Sequence, residues 1–118
     1  MATLYITEYG SYTNLPGSGL QVPDEGSRLA DQQVTYTGTA GVSAALNSGT
    51  KLVRLATDTN ICSVLFGYGT VGTPPTPAAQ ITNQRLPANL VEYKGVPTNG
   101  TGSGNNQIQV KISAITNT

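Results

Sequence analysis

Residues 107–114 read Gln107-Ile108-Gln109-Val110-Lys111-Ile112-Ser113-Ala114. In an extended chain successive side chains point to opposite sides, so Ile108, Val110, Ile112 and Ala114 share one face, with Gln107, Gln109, Lys111 and Ser113 on the other. The octet is a half-buried strand. The same period of two opens the chain, where Leu4 and Ile6 face away from Tyr5 and Thr7, and residues 1–12 read as an N-terminal strand or arm. Farther on, Val34 and Tyr36 alternate with Thr35 and Thr37, themselves good strand residues.

The centre carries the core. Lys51-Leu52-Val53-Arg54-Leu55 and Ile61-Cys62-Ser63-Val64-Leu65-Phe66 flank the polar Asp58-Thr59-Asn60, which predicts a hairpin or tight connection. A further strand spans Leu90 to Lys94, with Val91 and Tyr93 on one face, and stops at Gly95 and Pro97. Breakers cluster at residues 14–26 and 67–77, the latter with Pro74, Pro75 and Pro77, and both read as loops or extended arms. Residues 98–106 are almost purely Gly, Asn, Ser and Thr and read as a mobile surface loop. Residues 40–46 are too short and Gly-flanked for a helix and read as strand or irregular.

Six or seven short strands predict one all-β domain over residues 1–118. The expected fold is a small antiparallel β-sandwich or jelly-roll-like barrel with long Gly/Pro-rich loops and an N-terminal arm. Within it, residues 1–12 form the strand or arm, 13–32 a loop and 33–118 the sandwich core. Six Tyr, one Phe and no Trp make a thin aromatic filling for such a core, so a partner chain is expected to complete part of the apolar strand surface.

Only 10% of the 118 residues are charged, and six basic side chains balance six acidic ones. An ordinary soluble domain carries about 25%. Nucleic-acid binding rests on a surplus of Lys and Arg, so it is not expected here. No apolar stretch approaches the roughly 20 residues of a spanning helix and no signal peptide opens the chain, so neither a membrane role nor processing is expected. Near-zero net charge favours association.

The residue inventory also argues against an enzyme and against a metal or other cofactor. Cys62 stands alone and reads as a small buried side chain, and with no His the commonest base and metal ligand is missing. The carboxylates Glu8, Asp24, Glu25, Asp31, Asp58 and Glu92 read as a solvated surface rather than a glycosidase pair, and Asp24-Glu25 after Pro23 reads as a turn. Gly67-Tyr68-Gly69 and Gly100-Thr101-Gly102-Ser103-Gly104 lack the Lys and following helix of a phosphate loop and read as flexible turns. The acceptor pattern Asn99-Gly100-Thr101 carries no weight.

Tyr5, Tyr9 and Tyr12 lie in or just after the first strand, and Tyr brings rigid area with a polar tip to interfaces. Together with Leu4 and Ile6 they form the candidate protein-contact set. They read equally as core or rim of the strand. As an arm, the segment would pair with a neighbouring subunit's sheet edge.

Several stretches have a familiar pattern: Met1-Ala2-Thr3-Leu4-Tyr5-Ile6-Thr7-Glu8-Tyr9, Thr50-Lys51-Leu52-Val53-Arg54-Leu55, Ile61-Cys62-Ser63-Val64 running to Phe66-Gly67, Arg85-Leu86-Pro87-Ala88-Asn89 and Glu92-Tyr93-Lys94-Gly95-Val96. Together they resemble short virion proteins of tailed bacteriophages, of the capsid decoration or cement type. The resemblance covers the first ten residues and residues 50–118. It implies a structural protein made in the bacterial host cytoplasm and carried on the outer capsid surface. There it binds the major capsid protein and bridges capsomers, often as a homotrimer, and many modest contacts stabilise the shell together. The alternatives are a receptor- or glycan-binding β module, marked by a shallow pocket of Tyr and acidic residues near one loop end, and a tail, neck or fibre component.

Overall fold

The computed structural model describes residues 2–58 and 60–117, so Thr59, in the turn read between the central runs, lies outside the described residues, as do Met1 and Thr118. In chain order the strands are β1 (Ala2–Tyr9), β2 (Tyr12–Asn14), β3 (Gln21–Pro23), β4 (Arg28–Tyr36), β5 (Gly41–Val42), β6 (Leu52–Thr57), β7 (Cys62–Thr70), β8 (Gln84–Leu86), β9 (Val91–Gly95) and β10 (Ile108–Thr116). Short 3-10 turns occupy Glu25–Ser27 and Gly104–Asn106. Two four-stranded sheets have the orders β4-β1-β6-β9 and β5-β10-β7-β8, and β2 and β3 form a separate two-stranded ribbon. Every strand pairing is antiparallel.

The protein is a small antiparallel β-sandwich. Leu4, Ile6, Val34, Tyr36, Val53 and Leu55 come from the first sheet, and Cys62, Val64, Leu86, Val110, Ile112 and Ala114 from the second. Together they make one buried cluster. The alternation at residues 107–114 places Val110, Ile112 and Ala114 in it with no exposed surface. Each large aliphatic side chain so buried contributes roughly 1.5–3 kcal/mol of hydrophobic stabilisation.

Four expectations change. First, the two central runs do not form a hairpin: β6 pairs with β1 and β9, whereas β7 pairs with β10 and β8. Both runs have core-facing apolar residues, and crossing between sheets lets Val53 and Leu55 oppose Cys62 and Val64 across the core. Second, β1 is not an arm, because it is paired along its length with β4 on one side and β6 on the other.

Third, the segment 13–32 is not one loop. It contains the β2–β3 ribbon and the first half of β4, which begins at Arg28. That half lies on a sheet edge with polar side chains on both faces, so it shows no apolar alternation. Fourth, Gly67-Tyr68-Gly69 is not a turn but the end of β7. The proline-rich segment after it lies as a strap on the outer face of the second sheet, with Pro75, Pro77 and Ala79 buried at every second position.

Glycine is required beneath the strap. A Cβ on Gly67 would meet Pro77 at 2.7 Å and one on Gly69 would meet Pro75 N at 2.7 Å. The Ala79 N–H donates to Ser113 Oγ at 2.9 Å and Ser63 Oγ donates to the Ile81 carbonyl at 3.2 Å. Ser113, expected on the half-buried strand's polar face, is thereby fully buried.

Tyr36 and Cys62 link the core to pH. Tyr36 Oη donates to the Asn60 carbonyl at 2.9 Å. Burial raises its phenol above the usual tyrosine value of 10.0. Burial likewise pushes the Cys62 thiol from 9.0 up to about 11, against a smaller opposing effect of its hydrogen bond with Tyr36. Both groups favour the protonated folded state. The Cys62 contribution is intact below pH 9 and lost as pH rises to about 11. Denaturant midpoints should therefore hold steady up to pH 9 and fall between pH 9 and 11, with a shallower fall in Cys62→Val.

Candidate functional site

The two outer faces of the sandwich differ. The strap covers part of the second sheet's face, while the first sheet presents Tyr5 on β1, Arg54 on β6 and Tyr93 on β9. The register sets Arg54 between Thr7 and Tyr93 and Ala56 between Tyr5 and Val91. Tyr5 and Tyr93 are 41% and 52% exposed. At one end of this face the ribbon folds over, and Tyr9, which also points outward, is reduced to 5% exposure.

The five candidate contact residues are thus divided by the strand period. Leu4 and Ile6 face the core and are closed to any partner. Tyr5, Tyr9 and Tyr12 stand on the outer side, with Tyr12 on the ribbon and 53% exposed. Residues passed over as contacts join them. Tyr93 and Leu52 come from neighbouring strands, and Glu25 comes from the 3-10 turn after the ribbon. The alternation already set Tyr93 on a face with Val91, but which strand lies beside it depends on long-range pairing that no local pattern encodes.

Between ribbon and sheet lies a groove of about 480 Å³ lined by Tyr9, Tyr12, Gln21, Val22, Pro23, Glu25, Leu52 and Tyr93. Tyr9 Oη donates to Glu25 Oε2 at 3.1 Å, and Arg28 Nε lies 3.8 Å from Glu25 Oε1. Burial raises the Tyr9 phenol above its ordinary value, and the bond to Glu25 adds to the effect. Two further depressions flank the groove. One adjoins Tyr5, Thr7, Asp31 and Arg54, and the other lies against Lys51 and Pro97 and shares Tyr12 and Leu52 with the groove.

Behind the groove, on the core side of β1, Glu8 is not the solvated carboxylate expected from sequence. It is 1% exposed. Its Oε1 accepts from the Asn47 N–H at 2.7 Å and Thr50 Oγ1 at 2.8 Å, and its Oε2 accepts from Gln32 Nε2 at 2.9 Å. Asn99, also buried, donates from Nδ2 to the carbonyls of Asn47 and Thr50, both at 2.8 Å. The stretch 98–106 expected to be mobile is therefore anchored. Gly100, at φ 78°, packs its backbone against the Ser48 carbonyl, where a Cβ would clash.

The expectation that no Lys stands in a Ser-x-x-Lys spacing is wrong, because Ser48-Gly49-Thr50-Lys51 has that spacing, found in some acyl-transfer enzymes. The Lys51 ammonium is engaged by the Asn99 carbonyl, and Gly49 and Thr50 serve the loop that seats on Glu8. Lys51 is thereby built into the scaffold. Among the described residues no group of three or more His, Cys, Asp or Glu side chains is placed to hold a metal ion. Among them, too, no helix is long and apolar enough to cross a membrane.

No protein family, no curated protein and no solved structure matches the chain. The site is therefore read from its own chemistry. Tyr9→Phe removes the hydroxyl that holds Glu25 and should loosen the ribbon at a cost of about 0.5–1.5 kcal/mol. Hydrogen exchange checks this, with faster exchange expected at Val22 and Gly26 and none of that change at Ile112.

Proposed function

We propose that the chain is a non-enzymatic structural virion protein that binds the outer surface of a tailed-phage capsid through its β2–β3 ribbon. The observation that carries the reading is the exposed apolar surface of that ribbon. Tyr12, Leu15 and Leu20 are 53%, 42% and 58% exposed, and a two-stranded ribbon outside both sheets is marginal by itself in water. A second protein surface that covers Leu15 and Leu20 would supply the apolar contact the ribbon lacks within its own chain.

The low charge of the chain fits the same reading, since little like-charge repulsion opposes dense packing on a shell. The resemblance to decoration proteins gives the partner as the major capsid protein and the arrangement as a homotrimer bridging capsomers. Each copy then needs only a modest contact, because the shell presents many equivalent sites.

Purified heads of the source phage, stripped of this protein and re-incubated with it, test the reading by co-sedimentation. Wild-type protein should bind to saturation and raise the temperature at which heads release DNA. Full burial of one Leu is worth roughly 1.5–3 kcal/mol and about half of each side chain is still exposed here, so Leu15→Ser and Leu20→Ser should each weaken binding several-fold. Equal binding by wild type and both variants, or no binding at all, contradicts the reading.

A further inference from the structure

We propose that the groove between the ribbon and the first sheet is a binding site for a neutral saccharide. The inference does not depend on attachment to a capsid, because Leu15 and Leu20 at the ribbon tip, which carry the test of that reading, lie outside the groove's lining. Its walls are the rings of Tyr12 and Tyr93, each about half exposed, and its floor includes Tyr9. Half of the six tyrosines of the chain thus gather in one groove.

A pyranose ring has an apolar face of C–H groups and an equatorial rim of hydroxyls. Aromatic rings offer broad, rigid apolar surface to the first. The rim needs a few acceptors and donors, and the Glu25 carboxylate and the Gln21 amide line the groove. A mostly apolar lining with a small number of placed polar groups is the general pattern of small-ligand sites, and about 480 Å³ lies in their usual range of roughly 300–1,000 Å³.

Charge selects the class of sugar. Glu25 is the one charged residue lining the groove, and Arg28 at 3.8 Å balances it, so the groove has little net charge to attract an anionic or a cationic sugar. A neutral hexose or N-acetylhexosamine remains. The carboxylate accepts from Tyr9 Oη at 3.1 Å, which ties it to the groove. The neighbouring depression shares Tyr12 and Leu52 with the groove, which gives an oligosaccharide a path beyond one ring.

An array of neutral glycans, followed by an amide-shift titration of the isolated protein with maltohexaose, cellohexaose and chitohexaose, tests the site. At least one neutral glycan should bind saturably, with shifts concentrated at Tyr12, Gln21, Val22, Glu25 and Tyr93. Tyr12→Ala and Tyr93→Ala should each weaken binding about tenfold or more, and Glu25→Gln several-fold. Tyr68→Ala, on the opposite sheet, should leave it unchanged. All three groove positions are exposed enough for the variants to keep the wild-type melting temperature, which is measured alongside. Absence of binding to every neutral glycan overturns the proposal, as does binding confined to anionic glycans or binding unaffected by the groove substitutions. Groove shifts that depend on protein concentration alone would assign the groove to a second copy of the chain instead. Any of these results leaves the shell-binding reading standing, since that reading is tested on phage heads, by wild-type binding and by the Leu15 and Leu20 variants.

Discussion

A carboxylate in the interior of the sandwich sets the conditions for everything at its loop end. Glu8 follows Leu4 and Ile6 on the core face of β1, where an unpaired charge would cost several kcal/mol. Among the described residues no basic side chain forms an ion pair with it. Its neutral donors come instead from β4 and from the connection before β6: the Gln32 amide, the Asn47 N–H and the Thr50 hydroxyl. A carboxylate accepting several such bonds can be tolerated in the interior, whereas loss of its donors leaves it uncompensated. The connection that crosses between the sheets is therefore fixed in one position.

The neighbouring structure follows from that position. Asn99 reaches the carbonyls of Asn47 and Thr50 and so draws the glycine-rich approach to β10 onto the same loop. Lys51, next in sequence, donates its N–H to the Tyr9 carbonyl and accepts from Val96 N–H. Tyr9 itself points the other way, out of the sheet, and floors the groove. Adjacent residues on one strand thus serve opposite faces, with Glu8 holding the scaffold and Tyr9 the binding surface. The opposite sheet contributes little open face at the strap, because Pro75 and Pro77 lie on Gly69 and Gly67.

Much of the architecture was legible in the sequence. Ile108 to Ala114 and Leu4 to Thr7 carry their period openly because each strand has one apolar and one polar face. The first half of β4 was hidden, since an exposed edge strand such as Arg28 to Gln33 needs no apolar alternation. The strap was hidden for another reason: its prolines signal a break in hydrogen bonding, which is true, yet the packing of Pro75 and Pro77 depends on two glycines across the sheet. Of the site, Tyr5, Tyr9 and Tyr12 were read from the first strand, whereas Tyr93, Leu52 and Glu25 joined them only through strand pairing. Glu8 was visible in principle, because its parity with Leu4 and Ile6 placed it in the core, but its identity suggested a surface residue.

The loop end of the sandwich depends on one buried carboxylate, and residue-resolved native-state hydrogen exchange of Glu8→Leu tests that dependence most directly. The substitution places an apolar side chain of comparable size there and removes both acceptor oxygens. Protection should fall first at Asn47 and at Val96 to Thr101, while the Val110 and Ile112 amides on β10 keep their protection relative to global unfolding. Protection lost evenly across both sheets, or unchanged at Asn47, would contradict it.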